Sequence, residues 1–229
     1  MAVSEEFTPD SRRTLGYRAF RAFVVAVCSV LFRPTVRGTE HVPSSGPYIL
    51  APVHRSNADF AFAVFVTPRK TFFMAKDNLW HSKLLGGFIS SMGAFPVHRG
   101  SADRAALKAA EAVLRAGEPL VLFPEGTRQE GPLLGPMLEG AAFLSARTGA
   151  PIVPIGISGT DRALPKGAKL PRPVHANVVI GTPVPAPTAQ PGERVARSAV
   201  AATTEQLRVA LQAAYDEACG RLSAPAATS

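Results

Sequence analysis

From residue 47 onward, six short apolar runs alternate with stretches of helical period, and this alternation restricts the possible folds more than any other property of the chain. The runs, at 48–53, 71–75, 94–97, 120–123, 152–157 and 176–180, have strand length and read as strands covered on both faces. Helical connections between such strands carry the chain back across the sheet and make neighbours parallel. The expected fold is α/β: a single domain with a mixed, mostly parallel sheet flanked by helices. One helix is expected over 101–116, with Ser101 as N-cap, Leu107, Ala110, Val113 and Leu114 on one face, and Gly117 as its stop. A second covers 137–148 and ends at Gly149, and a long alanine-rich helix covers 194–219. Segments 165–173 and 182–191 are proline-rich connections.

Ahead of this pattern, a polar lead-in precedes a helical stretch at 15–32 that carries Tyr17, Phe20, Phe23, Val24, Val27, Leu31 and Phe32 between flanking arginines. Its uninterrupted apolar part, 22–32, falls short of the roughly 20 residues that a hydrocarbon core requires. Two readings stand: an amphipathic helix in the membrane interface with arginines at the headgroups, or a helix packed on the core. Ser11-Arg12-Arg13 before an apolar run resembles a twin-arginine signal, but no cleavage site of the A-x-A type follows. The chain divides into a lead-in and N-terminal amphipathic helix at 1–34, a domain at 35–219 and a small, polar tail at 220–229 expected to fray.

With 229 residues, 46% of them hydrophobic, the chain can bury a substantial core and is not disordered overall. Its net charge of +8 calls for an anionic partner: a phosphorylated substrate, an acidic membrane surface, an acidic carrier or a nucleic acid. Cys28 and Cys219 stand too far apart in sequence to suggest a disulfide framework or a zinc site. His41, His81, His98 and His175 lack metal-ligand spacing, and no metal is expected. A nucleophile elbow, a P-loop and a dinucleotide fingerprint are all missing from the sequence.

The chemistry centres on residues 48–60, where an apolar run delivers His54 into a polar turn with Asp59 five residues later. A histidine titrates near neutrality, so it can take a proton from a substrate hydroxyl once its tautomer is fixed. Asp59 accepting the Nδ1 proton would leave Nε2 free as the base. Positions five apart point about 140° away from each other on one continuous helix, so the pair requires a bend. Ser56 and Asp59 also fit the S-x-x-D pattern of a helix start, so a capping role for Asp59 competes with the catalytic one.

A second stretch, Leu120 through Phe123 followed by Pro124-Glu125-Gly126-Thr127-Arg128, sets an acid, a glycine and an arginine at a strand mouth. Ligands bind at such strand ends in α/β folds, and arginine offers a forked donor matched to phosphate oxygens. Arg99 ends another strand in the same way, after Gly93-Ala94-Phe95-Pro96-Val97-His98. A surface ion pair beyond an ordinary turn is the competing reading of both.

Taken in order, these stretches resemble the four sequence blocks of the glycerolipid acyltransferases, the PlsC-type 1-acylglycerol-3-phosphate O-acyltransferases. His54-Arg55-Ser56-Asn57-Ala58-Asp59 is similar to the H-x4-D block, Gly93 through Arg99 to the second, Phe123 through Arg128 to the third and Ile152-Val153-Pro154-Ile155 to the fourth. Lys76, Leu79 and Gly86 resemble the segment between the first two. The resemblance implies O-acylation of a lysophospholipid without an acyl-enzyme, with His54 as base and Asp59 as its orienting acid. It further implies that Glu125, Gly126, Thr127 and Arg128 bind the glycerol phosphate acceptor, with Lys76 and Arg99 contributing to phosphate recognition. The implied co-substrate is an acyl-CoA or acyl carrier protein thioester, with no cofactor. The implied partners are a lysophospholipid and an anionic membrane surface at the cytoplasmic face of the cell membrane, held peripherally or monotopically, and no nucleic acid. The chain departs from the pattern at Lys83, where many members have proline, and at Met137-Leu138, where many have Phe-Lys and thereby a possible phosphate contact. Alternatives are a different lysophospholipid or hydroxylated lipid acceptor, or a catalytically silent basic protein that binds membranes or nucleic acid.

Overall fold

The structure is a computed structural model and describes residues 9–10, 12, 14–63, 65–97, 104–163, 170–188 and 195–220. Its first element, α1 (Leu15–Phe32), starts at Thr14, whose hydroxyl accepts the Tyr17 N–H, and stops at Arg33 in the left-handed region just before Pro34. Next come β1 (Thr35–Arg37), β2 (Ile49–Pro52), α2 (Asp59–Ala63), β3 (Phe72–Lys76), α3 (Lys83–Ser91), β4 (Ala94–Val97), α4 (Arg104–Arg115) and β5 (Leu120–Val121). The chain closes with α5 (Gly140–Thr148), β6 (Ile152–Ser158), α6 (Thr160–Ala163), β7 (Asn177–Ile180) and α7 (Arg197–Ala218). The strands form one sheet in the order β1-β7-β6-β2-β5-β3-β4, parallel at every pairing except β6 with β7.

Every residue of β2 is buried, because helices cover both faces of a central parallel strand. Ile49 and Ala51 point into one core with Phe72, Val113 and Leu144, while Leu50 and Val53 join Phe62, Ile155 and Ile157 in the other. Each fully buried aliphatic side chain of this kind contributes about 1.5–3 kcal/mol relative to exposure. Along α7, Val200, Thr203, Leu207, Leu211, Ala214 and Tyr215 recur at helical spacing and form the buried stripe. It lies close on β6 because position 156 is glycine: a Cβ there would overlap the Ala214 carbonyl. That close approach later matters for Tyr215.

The expected strands are all present, with ends shifted by a residue or two. Two differences bear on the site. The strand expected at 120–123 stops at Val121; Leu122 still donates to the Leu50 carbonyl at 2.9 Å, but Phe123 turns away to meet His54. The helix expected from 137 starts at Gly140, because the Leu138 N–H donates instead to the Pro124 carbonyl at 2.8 Å and holds 137–138 against the loop after β5. Helix α4 keeps the expected face around Ala110, Val113 and Leu114, whereas its expected cap, Ser101, lies outside the described residues. Strand β1 and helix α3 were not anticipated. β1 is three residues of ordinary polarity that gain strand form only by pairing with β7, and α3 begins at Ser82, whose hydroxyl accepts the Leu85 N–H.

Candidate active site

The carboxyl ends of β2, β5 and β6 lie side by side, so the loops that follow them meet above the middle of the sheet. Beyond β2 the first polar side chain is His54. Its Nδ1 lies 3.3 Å from Asp59 Oδ2, and its ring packs on Phe123 with centroids 4.2 Å apart. The His54 side chain is 14% exposed and that of Asp59 is 0% exposed, so the imidazole alone meets solvent while the carboxylate holds it from behind. With the proton on Nδ1, Nε2 is an acceptor that no described residue engages.

The bend required by the five-residue spacing is built by Asp59 itself. Its Oδ2 accepts the backbone N–H groups of Arg55 and Ser56, both at 2.6 Å, and the Ser56 hydroxyl accepts the Ala58 N–H at 3.2 Å. Residues 55–58 thus curl around the first residue of α2 and swing His54 back to the same carboxylate. One carboxylate both closes the turn and contacts the His54 ring. Oδ1 accepts the Thr160 hydroxyl at 2.5 Å.

Beneath this loop lies a second, fully internal arrangement. Arg55 Nη1 donates to Glu125 Oε1 and Oε2 at 2.9 and 3.0 Å, with side-chain exposures of 3% and 0%. Glu125 also accepts the His54 N–H at 2.9 Å and the Gly135 N–H at 3.1 Å. Arg55 Nη2 donates to the Leu133 carbonyl at 3.2 Å, and its guanidinium stacks 4.8 Å from the Tyr215 ring centroid. Burial alone would lower the Arg55 pKa, but hydrogen bonding and charge from Glu125, together with Tyr215, outweigh it and the net direction is upward. The guanidinium is a permanent cation.

The Glu125 carboxylate, expected at the acceptor, turns inward and ties the His54 loop to the loop after β5. The cause is Arg55, given no role by the sequence, whose buried charge needs an anion. Gly126, Thr127 and Arg128 follow on the outside and are exposed. Gly126 has φ of 67°, and a Cβ there would press on the Leu138 side chain 2.7 Å away. Thr127 Oγ1 accepts from Gln129 Nε2 at 3.2 Å, and the Gln129 N–H donates to the His54 carbonyl at 2.9 Å. Arg128 is held by no hydrogen bond or ion pair among the described residues. Lys76 closes β3, with its backbone in register with Val97; Arg99 lies outside the described residues, as does the side chain of Lys76. Among the described residues no three His, Cys, Asp or Glu side chains converge to hold a metal ion. Sequence reasoning missed Arg55, Thr160 and Tyr215. A basic residue inside an otherwise apolar and small-residue loop was the one available signal, and only for Arg55.

Three comparisons bear on this geometry. A model of the acyltransferase family matches residues 33–158, which include both loops. A chloroplast 1-acyl-sn-glycerol-3-phosphate acyltransferase of Brassica napus is 30% identical over 141 residues, covering 60% of this chain and 41% of that protein. The 1-acyl-sn-glycerol-3-phosphate acyltransferase of Bacillus subtilis is 28% identical over 150 residues, covering 65% of this chain and 72% of that protein. The chain thus spans well under half of the plant relative's length and nearly three quarters of the bacterial one. The crystal structure of the 1-acyl-sn-glycerophosphate acyltransferase PlsC from Thermotoga maritima superposes with a TM-score of 0.72, covering 91% of this chain and 81% of that one at 22% identity, and shows the same fold.

Proposed function

This chain belongs to the acyltransferase family, and on that footing we propose that it moves a fatty acyl group from a thioester to the free hydroxyl of a 1-acylglycerol-3-phosphate, giving phosphatidic acid. The observation that carries the reading is the His54 imidazole, backed through Nδ1 by a buried carboxylate and open at Nε2. In this scheme Nε2 takes the hydroxyl proton as the oxygen attacks the thioester carbonyl. The new C–O bond forms, the C–S bond breaks, and the proton passes from the imidazolium to the departing thiolate. Asp59 supports the transient imidazolium without itself being protonated. Position and exposure favour Arg128, Gly126 and Thr127 for the acceptor phosphate, with Lys76 at the end of neighbouring β3; a part for Arg99 rests on the sequence resemblance. The donor is acyl-CoA or acyl carrier protein.

Helix α1 supports the choice of a lipid substrate. It is long and apolar enough to cross a membrane, yet 17% of that stretch is buried. At 1.5 Å per residue it spans about 27 Å. Its inner side is tied down by buried Tyr17, Cys28 and Phe32 and by Arg21 Nη2 donating to the Thr67 carbonyl at 3.0 Å. Outward it shows Leu15, Phe23 and Val30, at 81%, 64% and 73% exposure. Phe20 meets Phe88 of α3 edge to face at 5.1 Å, so the apolar surface continues over Leu84, Leu85 and Phe88. A helix held along one side and apolar on the other lies in the membrane interface, with exposed Arg18, Arg33 and Lys83 near anionic headgroups. On this reading the enzyme works at the cytoplasmic face of the membrane, held peripherally or monotopically.

The test is thiol release from palmitoyl-CoA by wild type and His54→Ala, with and without lysophosphatidic acid, and with the lipid product identified by mass spectrometry. Acceptor-dependent release that yields phosphatidic acid and is lost in the variant is the expected result. Near-normal turnover by His54→Ala overturns the base assignment. Release only with another lysophospholipid, under either donor, overturns the acceptor assignment.

A further inference from the structure

We propose that the Thr160 hydroxyl is a positioning group for catalysis, pinning the Asp59 carboxylate so that His54 keeps its reactive orientation. The proposal rests on the reading of His54 as base and Asp59 as its orienting acid.

The hydrogen bonds to Asp59 are divided unevenly between its two oxygens. Oδ2 takes the Arg55 and Ser56 N–H groups at 2.6 Å each and His54 Nδ1 at 3.3 Å. Oδ1 has one partner among the described residues, Thr160 Oγ1 at 2.5 Å. Asp59 and Thr160 are both fully buried. A buried carboxylate needs donors on both oxygens. If Thr160 let go, Oδ1 would be an orphan, and the group would rotate about its Cβ–Cγ bond to share out the backbone donors. The His54 contact is the longest of the four and is the first that such a rotation breaks. Once it is broken, nothing fixes which ring nitrogen faces the substrate.

The fold delivers Thr160 to this place by a specific device. β6 ends at Ser158, and Gly159 turns the chain with φ of 90°, in a position where a Cβ would crowd the His175 carbonyl. The turn drops the first residue of α6 directly beneath the first residue of α2, across 101 positions of sequence. A helix of four residues has little need of a buried cap, and the Thr160 hydroxyl donates away from its own element, to the one carboxylate behind the imidazole.

Thr160→Val keeps the shape and removes the hydroxyl; Thr160→Ser keeps the hydroxyl and removes the methyl. Both are assayed as the full-length protein beside wild type and His54→Ala, with palmitoyl-CoA and lysophosphatidic acid. Thr160→Val should lower kcat roughly tenfold to 100-fold, the size of effect that follows from misplacing a reacting group, with KM for both substrates within about twofold of wild type. Thr160→Ser should recover at least half of wild-type kcat. With ¹⁵N-labelled histidine, the downfield Nδ1–H proton of His54, identified by its loss in His54→Ala, should persist in wild type and Thr160→Ser and vanish in Thr160→Val. Three results overturn the proposal: wild-type kcat in Thr160→Val, an intact His54 signal in that variant, or a fall in activity carried by KM. If Thr160→Val fails to fold, Thr160→Ser decides: loss of the His54 signal despite the retained hydroxyl overturns the proposal, and its persistence supports it. Active His54→Ala is a separate failure, of the base assignment itself.

Discussion

Arg55 and Arg128 belong to the first and third motif stretches of one site, yet the fold treats them in opposite ways. Arg55 is buried, bonded to Glu125 and stacked on Tyr215, while Arg128 is exposed and engaged by nothing described. The same division runs through the whole site. An inner layer of Arg55, Asp59, Glu125 and Thr160 has its side-chain polar atoms bonded within the protein, apart from Arg55 Nε, and an outer rim of His54 Nε2, Gly126, Thr127 and Arg128 faces outward. On the proposed reading, the groups that recognise the acceptor sit at the exposed rim. Groups that must not move are enclosed, where each hydrogen bond is stronger and each lost partner costs more. Side chains of one chemical type therefore take different jobs according to depth alone.

Substitutions on either side of that division test it. The largest effect is expected at His54: His54→Ala should lose at least about 10²- to 10⁴-fold in turnover, the usual contribution of a positioned base, with its unfolding midpoint unchanged. Next comes Glu125→Ala, which leaves a buried cation without its partner and should lower stability by about 3–5 kcal/mol in denaturant unfolding. Replacing both members, Arg55→Met with Glu125→Leu, should regain most of that loss, because no orphaned charge remains, while turnover stays low because the His54 N–H has lost its acceptor. Full recovery of turnover in the double variant would show that the pair holds nothing in place. At the rim, Arg128→Ala should raise KM for the phosphate-bearing acceptor about tenfold, as expected for one charge-assisted hydrogen bond, with kcat and the unfolding midpoint unmoved. An equal fall in stability would place Arg128 in the inner layer after all. The smallest catalytic effect belongs to the apolar face: Phe23→Asp with Val30→Asp should reduce partitioning into anionic liposomes while leaving turnover on detergent-dispersed substrate near wild type.

The strand–helix alternation, the α/β class and six of the seven strands can be read locally, because buried strands are written as continuous apolar runs and need no distant information. The His54–Asp59 turn is also local, being built within residues 54–59, although the sequence left open whether Asp59 caps it or meets the imidazole. β1 was illegible because its three residues become a strand only by pairing with β7, far along the chain. Likewise, nothing local in Glu125 distinguishes a carboxylate that greets a ligand from one that neutralises an arginine 70 positions away. Thr160 reaches Asp59 only because Gly159 permits a turn at the end of β6, and Tyr215 reaches Arg55 only because Gly156 lets α7 lie flat on that strand. Periodicity and turn chemistry are properties of neighbours in sequence and can be read there. Burial and partnership are properties of neighbours in space, and for this site they were decided when the carboxyl ends of β2, β5 and β6 came together.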